Sequence, residues 1–101
     1  MTQAQTAPWQ AALEKSTPGL FKDVSGIRES IMKDGAFSLK VKTLMTMICD
    51  ALLAHPEGGA FIANRARGLG ASEEEIAEAV GVAFYMGGMP ALVTGANAFM
   101  D

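Results

Sequence analysis

Three residues near the middle of the chain have side chains suited to proton transfer or nucleophilic chemistry. They are Cys49, Asp50 and His55. Histidine changes protonation near neutral pH, a carboxylate can accept a proton, and a thiolate can attack an electrophile. Their closeness in the chain supports one hypothesis, an active site in which these residues carry out proton transfer or lyase chemistry.

Each of these residues also has a structural interpretation. His55 stands before a proline and is expected at the N-terminal end of a helix. Asp50 lies in an apolar helix, where an acid needs a partner such as Arg65 or Arg67. Cys49 is expected in mid-helix beside an acid, which disfavours a reactive thiolate, so it is interpreted as a small buried hydrophobe.

A second group of residues is suited to lining a binding pocket. Thr43, Thr46 and Asp50 are three and four residues apart and form one polar stripe on an otherwise apolar helix. Small residues that open the following helix leave its amide groups accessible to an anionic ligand. The predicted ligand-binding residues are Thr43, Thr46, His55, Gly58, Gly59, Phe61, Ile62 and Tyr85. In the alternative interpretation, the glycines allow close helix packing and the apolar side chains fill the core or a subunit interface.

The sequence predicts neither a metal nor a cofactor. His55 is the only histidine and Cys49 the only cysteine, whereas protein zinc sites combine several such ligands.

Composition limits the classes of partner. Half of the residues are hydrophobic, which is more than a chain of 101 residues readily buries alone, so we expect a homo-oligomer. The net charge is −3 and no basic cluster is present, which argues against a nucleic-acid partner. There is no charged-then-apolar leader and no uninterrupted apolar run of about 18 residues. We therefore expect a cytoplasmic protein that does not enter a membrane.

Apolar residues recur at helical spacing along the chain, and no alternating strand pattern competes with them. The sequence therefore predicts an all-α fold of five to six helices in a single domain over residues 1–101. The third helix is apolar nearly all round from Leu44 to Ala54 and is predicted to be the central buried helix. After a frayed segment over residues 1–8, the first predicted helix runs from Trp9 to Ser16 and the second from Pro18, with Thr17 as N-cap, to a stop at Gly35. The third runs from a Ser38 cap to about Ala54, and the fourth from Glu57 to a stop at Gly70. The fifth runs from a Ser72 cap to a Gly-Gly-Met-Pro break, and the last from Ala91 to Phe99.

Two longer stretches resemble a known family. The stretches are KDGAFSLKVKTLMTMICDALLA and GLGASEEEIAEAVGVAFYMGGMPALVTGANAF, and together with the helix before them they span about Leu20 to Phe99. They are similar to the carboxymuconolactone decarboxylase family, which includes the alkylhydroperoxidase D-like proteins. The resemblance implies a fold built round a helical hairpin, assembly as trimers or hexamers, and pockets near subunit interfaces.

The resemblance also implies where a redox centre would lie, and the residues of this chain differ there. Counted back from Gly70 without gaps, the two family cysteines fall on His55 and Gly58, the family histidine on Ile62, and the family glutamate on Thr43. Dithiol peroxidase chemistry needs one thiolate to attack and a second to resolve, and one cysteine cannot do both within a subunit. We therefore expect an oligomeric protein of this family that binds a small molecule or a partner. The alternative is an altered-site enzyme, of lyase, decarboxylase or residual peroxidase type, that uses Asp50, His55 and Cys49.

Overall fold

The computed structural model describes residues 8–100, and only the backbone of Pro56 and Glu57. Within that range the chain forms helices and no strand, which confirms the all-α prediction. The elements in chain order are α1 (Pro8–Ser16), α2 (Pro18–Ile31), α3 (Leu39–Leu52), α4 (Pro56–Gly68), α5 (Glu73–Gly95) and a short 3-10 helix (Ala96–Phe99). The segment predicted to be frayed, residues 1–8, lies outside the described residues except for Pro8, which begins α1.

The chain divides into two compact units between Lys33 and Asp34. The first contains α1 and α2, which pack on each other. The guanidinium of Arg28 lies 5.6 Å from the centre of the Trp9 ring, a cation–π contact between the two helices. No residue of α1 or α2 is buried, and three apolar residues of α2, Leu20, Ile27 and Ile31, are more than half exposed.

Helix α2 ends earlier than the sequence predicted. It stops at Ile31 and not at Gly35, because Met32 leaves the helical conformation while its N–H still bonds to a carbonyl of the last turn. Asp34, which follows α2, instead bonds to the start of the next helix: its carboxylate accepts the N–H of Leu39 at 2.7 Å. At the other end of α2, Thr17 is the N-cap residue and Pro18 the first helical residue, as predicted, but the Thr17 side chain makes no capping hydrogen bond.

The second unit has helix α3 packed against both α4 and α5. Ser38 caps α3 as predicted, because its hydroxyl accepts the N–H of Val41 at 3.1 Å. The core consists mainly of alanines around one fully buried Ile76, and small side chains allow the helices to approach closely. The core residues are Met47, Ala63, Ala66, Ala71, Ile76, Ala79, Val80 and Ala98, with Ala51, Ala83 and Ala91 in a second cluster.

Helix α3 is central to the second unit, as predicted, but it is buried along one face only, which corrects the prediction of a buried helix. Thr43, Met47 and Ala51 are buried, whereas Met45 and Leu52 are more than two fifths exposed. Its neighbours α4 and α5 do not enclose it within one copy of the chain, so its remaining apolar surface stays open.

Helix α5 begins with the predicted capping box. The Ser72 hydroxyl accepts the N–H of Glu75 at 3.0 Å, and the Glu75 carboxylate accepts the N–H of Ser72 at 2.9 Å. The predicted break is also present, because Gly88 leaves the helical conformation with φ 74° and ψ −161° just before Pro90. The separate last helix predicted over residues 91–99 is instead the second segment of α5 followed by the 3-10 helix.

In the part of the chain described, one stretch, Glu73–Phe99, is long and apolar enough to cross a membrane by length and composition, with a mean hydropathy of 1.5. Core helices of soluble proteins meet the same criterion. This stretch contributes Ile76, Val80 and Ala83 to the core of the second unit, and its helix is broken at Gly88.

Candidate functional site

The turn between α3 and α4 brings together part of the predicted site. After α3 ends, Ala54 adopts a left-handed backbone conformation with φ 59°, which is uncommon for a residue other than glycine. This reversal allows the N–H of His55 to donate to the carbonyl of Asp50 at 3.1 Å. The carbonyl of His55 in turn accepts the N–H of Gly58 at 3.1 Å. The backbone therefore folds His55 back over the end of α3.

The side chains of Asp50 and His55 meet across this turn. The Nδ1 atom of His55 lies 3.4 Å from Oδ1 of Asp50. The imidazole is 63% exposed, whereas the carboxylate is only 13% exposed. Asp50 was expected to pair with an arginine, but Arg67 instead pairs with Glu73 at 2.6 Å. Among the described residues, the side-chain partner of Asp50 is thus the histidine of the turn.

Burial leaves Asp50 incompletely satisfied. Its Oδ2 atom is buried and has no hydrogen-bond partner among the described residues. This burial raises the pKa of Asp50 above its ordinary value, and the charge of His55 and its hydrogen bond act in the opposite direction. A buried carboxylate oxygen without a partner is costly and is uncommon outside functional sites.

Gly58 provides the space in which the Asp50 carboxylate lies. A Cβ atom at residue 58 would stand 2.8 Å from Oδ2 and 2.9 Å from Oδ1 of Asp50. Gly59 has a different neighbour, since a Cβ atom there would stand 3.2 Å from Cβ of Asn97 in the 3-10 helix. Gly58 therefore accommodates the carboxylate, and Gly59 allows close packing of α4 on the 3-10 helix.

A family model for the carboxymuconolactone decarboxylase family matches residues 18–101, from the first residue of α2 onward. The chain belongs to this family. A crystal structure of an apo carboxymuconolactone decarboxylase family protein from Legionella pneumophila is similar to it, with a TM-score of 0.83 and 33% sequence identity. The similarity covers 89% of this chain and 80% of that one. No curated protein matches the chain significantly. The family match includes α3, α4 and the turn between them, so Asp50 and His55 lie within the family fold.

The polar stripe predicted on α3 is mostly satisfied within the helix. The hydroxyl of Thr43 donates to the carbonyl of Leu39 at 2.8 Å, and that of Thr46 donates to the carbonyl of Lys42 at 2.9 Å. Thr43 is buried and Thr46 exposed, so the two hydroxyls lie in different surroundings. Asp50 is the member of the stripe whose side chain bonds outside its own helix.

The other predicted residues of this family member are not gathered at the turn. Phe61 and Ile62 are half-buried in α4, and Ile62 packs against the main core. Tyr85 is 83% exposed on α5. Cys49 is exposed, which corrects its interpretation as a buried hydrophobe. No group of three potential metal ligands occurs among the described side chains.

Three features of the site were not found from the sequence. Leu52 and Leu53 are exposed immediately before the turn. A Cβ atom at Gly87 would stand 2.6 Å from Cδ2 of Leu52, so the end of α3 packs against α5 beside its break. The left-handed conformation of Ala54 carries no sequence signal, because alanine does not indicate a turn. The GG pair at 87 and 88 was a signal for the break but not for this contact.

The first unit has an open groove between its two helices. Its lining combines one aromatic side chain with charges of both signs: Glu14, Pro18, Phe21, Lys22, Ser25, Gly26 and Glu29. None of these residues was a predicted site residue.

Proposed function

We propose that this member of the carboxymuconolactone decarboxylase family is a homo-oligomer that binds a small molecule at the α3–α4 turn and lacks dithiol peroxidase activity. The observation that supports binding at the turn is the contact between the largely buried side chain of Asp50 and the exposed side chain of His55. An accessible histidine backed by a carboxylate can exchange a hydrogen bond and a proton with a ligand. A cytoplasmic location is part of the proposal, since the single cysteine forms no internal disulfide.

Binding at the turn is tested by NMR of the uniformly 15N-labelled protein, with benzoate as an anionic probe and 4-nitrophenol as a weakly acidic one. We expect either probe to shift the amide signals of residues 53–55, 57 and 58 in a saturable manner. A Gly58→Val variant, whose side chain displaces the Asp50 carboxylate, should lose the effect, while a matched Gly68→Val variant should keep it. A Cβ atom at Gly68 would have no neighbour within 4 Å, so the control removes no contact. Signals of the turn that stay unchanged with both probes would contradict the proposal.

The proposal excludes dithiol chemistry because the chain has one cysteine. Cys49 is exposed on α3, and no second thiol exists within the subunit to resolve a sulfenic acid or mixed disulfide formed on it. We expect no turnover of hydrogen peroxide with a dithiol reductant. Turnover that disappears in a Cys49→Ser variant would contradict this part of the proposal.

Oligomerisation is supported by the exposed surface of α5. From Ala79 to Met100 the chain carries no charged residue, yet many of its large side chains are exposed. The most exposed apolar side chains of α5 are Val82, Tyr85, Met86, Met89 and Val93. A surface without charge is best covered by another apolar surface, and a second copy of this chain offers the same one.

The interface is tested by analytical ultracentrifugation at micromolar protein concentration. We expect a mass that is a multiple of 10.6 kDa for the wild type. A Met89→Glu substitution would bury a charge in the proposed interface and should favour the monomer. An Ala77→Glu substitution, at an exposed position of the same helix before the uncharged stretch, should leave the mass unchanged. A wild-type mass of one chain would contradict the proposal.

The second candidate function is an altered-site enzyme of lyase or decarboxylase type. The buried and unpartnered Oδ2 atom of Asp50 favours it, because enzymes keep such groups where they act on a proton. Asp50 and His55 would carry out proton transfer, and Cys49 is the third candidate. Conversion of a probe at the turn, abolished in Asp50→Asn, would identify this function.

A further inference from the structure

We infer that His55 takes up a proton through Nε2 from an acidic O–H group of the bound molecule, and that Asp50 acts as its positioning residue. The inference rests on the proposed binding at the α3–α4 turn and assigns the chemistry of that site.

The contact geometry determines which nitrogen is free to accept the proton. Nδ1 of His55 lies 3.4 Å from Oδ1 of Asp50, at the long end of the hydrogen-bond range. A carboxylate only accepts, so the hydrogen of the neutral imidazole must be on Nδ1 for this contact to be favourable. Nε2 then carries the lone pair. Because the side chain is 63% exposed, the ring remains accessible to a ligand.

Two further features hold Asp50 and His55 in this arrangement. The N–H of His55 donates to the backbone carbonyl of Asp50, so backbone and side chains of the same two residues are both in contact. Gly58 leaves room for the carboxylate, which any larger residue would displace. The orientation of the imidazole therefore depends on the turn as well as on one long contact, as a pre-organised site requires.

The proton transfer balances without a further reactant. The O–H bond of the ligand breaks, its electron pair stays on the ligand oxygen, and an N–H bond forms at Nε2 of His55. The imidazolium retains its hydrogen on Nδ1 and lies beside the ionised Asp50, whose negative charge stabilises it in a partly buried setting. No group is oxidised or reduced.

The same charges indicate the class of ligand. A permanently ionised anion would meet the negative charge of Asp50, whereas a neutral weak acid arrives uncharged and ionises only on transferring its proton to His55. Exposed Leu52 and Leu53 precede the turn and offer apolar surface for the body of such a molecule. The site therefore fits a phenol or enol with an apolar body better than a carboxylate.

The positioning role is tested without any ligand by 15N NMR of the His55 ring at a pH where the imidazole is neutral. We expect the Nδ1–H tautomer to predominate in the wild type. Asp50→Asn should shift the population towards the usual Nε2–H tautomer, while Glu78→Gln, which removes one carboxylate from an exposed position of the same unit, should not. Predominance of Nε2–H in the wild type, unchanged in Asp50→Asn, would overturn the inference.

Proton uptake is tested with 4-nitrophenol, whose phenolate absorbs visible light and whose ordinary pKa lies near neutrality. At a slightly acidic pH, the wild type should increase the phenolate absorbance in a saturable manner. Asp50→Asn should lower the ratio of bound phenolate to bound phenol by about two- to fivefold, the range of a partly exposed ion pair. His55→Gln should abolish the increase in phenolate absorbance, and Glu78→Gln should leave it unchanged.

The outcomes separate this inference from the function on which it rests. Amide shifts in the turn with no phenolate signal would overturn proton uptake and leave binding intact. Binding of benzoate that is tighter than that of 4-nitrophenol would overturn the ligand class. Absence of binding by both probes would overturn the proposed function together with the ligand assignment, whereas the tautomer measurement would still decide the role of Asp50.

Discussion

The two turns at the ends of α4 are built in opposite ways. The turn after α4 uses glycine for its left-handed residue, Gly70 with φ 99°, and starts the next helix with a complete capping box at Ser72. The turn before α4 uses alanine for its left-handed residue, Ala54 with φ 59°, and His55 makes no capping bond with its side chain. One turn follows the preferences of local structure and the other departs from them.

The two turns also differ in how completely their carboxylates are paired. Arg67 donates to both carboxylate oxygens of Glu73 and also to the carbonyl of Ala98. The hydrogen bond from Arg67 lowers the pKa of Glu73, whereas burial raises the pKa of Asp50 at the other turn. Departures from local preference tend to mark functional positions, because stability is lost there without a structural gain. This difference supports the proposal that the turn before α4 is the functional site.

The largest expected effects come from exchanging the left-handed residues. Gly70→Ala should destabilise the protein by about 1–2 kcal/mol, because a Cβ atom is disfavoured in this region of backbone conformation. Ala54→Gly should stabilise it by about 0.5–1 kcal/mol, since relief of that strain exceeds the flexibility that glycine adds to the unfolded chain. Urea unfolding at one fixed protein concentration measures both, because assembly makes stability depend on concentration.

The two changes in the free energy of unfolding need not be equal in size, but they must be opposite in sign. Loss of stability in Ala54→Gly would mean that Ala54 is not strained and that the two turns do not differ in this respect.

The caps provide the next contrast. Ser72→Ala removes the side-chain acceptor of the capping box and should cost about 1 kcal/mol. His55→Ser places a good capping residue where no side-chain cap exists, and should leave stability unchanged or raise it by up to about 1 kcal/mol. Thermal unfolding of the two variants beside the wild type measures this difference. A destabilising His55→Ser would show that the histidine supports the fold, and would weaken its assignment to ligand binding.

The same contrast explains what could be predicted from the sequence. The capping box, the stop at Gly70 and the break at Gly88 were predicted because each uses the residue types that its local geometry requires. The closeness of Asp50 and His55 in the chain suggested a shared site, but their direct contact could not be predicted, because it depends on a left-handed alanine that carries no signal. A carboxylate in an apolar helix indicates that a partner is needed, and the sequence suggested Arg65 or Arg67 for this role. The partner was decided by the path of the turn.

Burial was harder to predict than helix position. The apolar residues of α2 and the all-round apolar surface of α3 predicted helices correctly, yet much of this surface is exposed in one copy of the chain. An apolar sequence pattern predicts that a surface is buried, but it does not identify the element or subunit that buries it.

Replacement by alanine should affect stability differently at the two glycines near the ends of α4, Gly58 and Gly68. Alanine is normally favoured over glycine in a helix by up to about 1 kcal/mol. Gly68→Ala should show this gain, because the new Cβ atom has no neighbour within 4 Å. Gly58→Ala should lose it or become destabilising, because its Cβ atom would stand 2.8 Å from Oδ2 of Asp50 and push the carboxylate away. Chemical denaturation measures the stabilities, and the His55 ring signals should move in Gly58→Ala alone. Equal gains in both variants would show that the carboxylate does not depend on Gly58.

The smallest effect is a pH dependence, and its sign distinguishes the two turns. The pKa of Asp50 is raised by burial, so the folded protein holds this proton to a higher pH than the unfolded chain does. The contribution of Asp50 to stability is thus present below its ordinary pKa of 3.8 and is lost as the pH rises through its folded value. Asparagine does not titrate. The stability of Asp50→Asn relative to the wild type should therefore increase as the pH is raised from below 3.8 towards neutrality.

The carboxylates of the other turn should respond in the opposite sense. The pKa of Glu73 is lowered by Arg67 and that of Glu75 by the N–H of Ser72, so their contributions are lost as the pH falls. These groups are present in both the wild type and Asp50→Asn, and their effects cancel in the difference between the two. Unfolding by urea at several pH values gives this difference directly. A relative stability of Asp50→Asn that decreases with rising pH would mean that the attraction of His55 outweighs burial, and that Asp50 resembles Glu73 as a structural ion-pair partner.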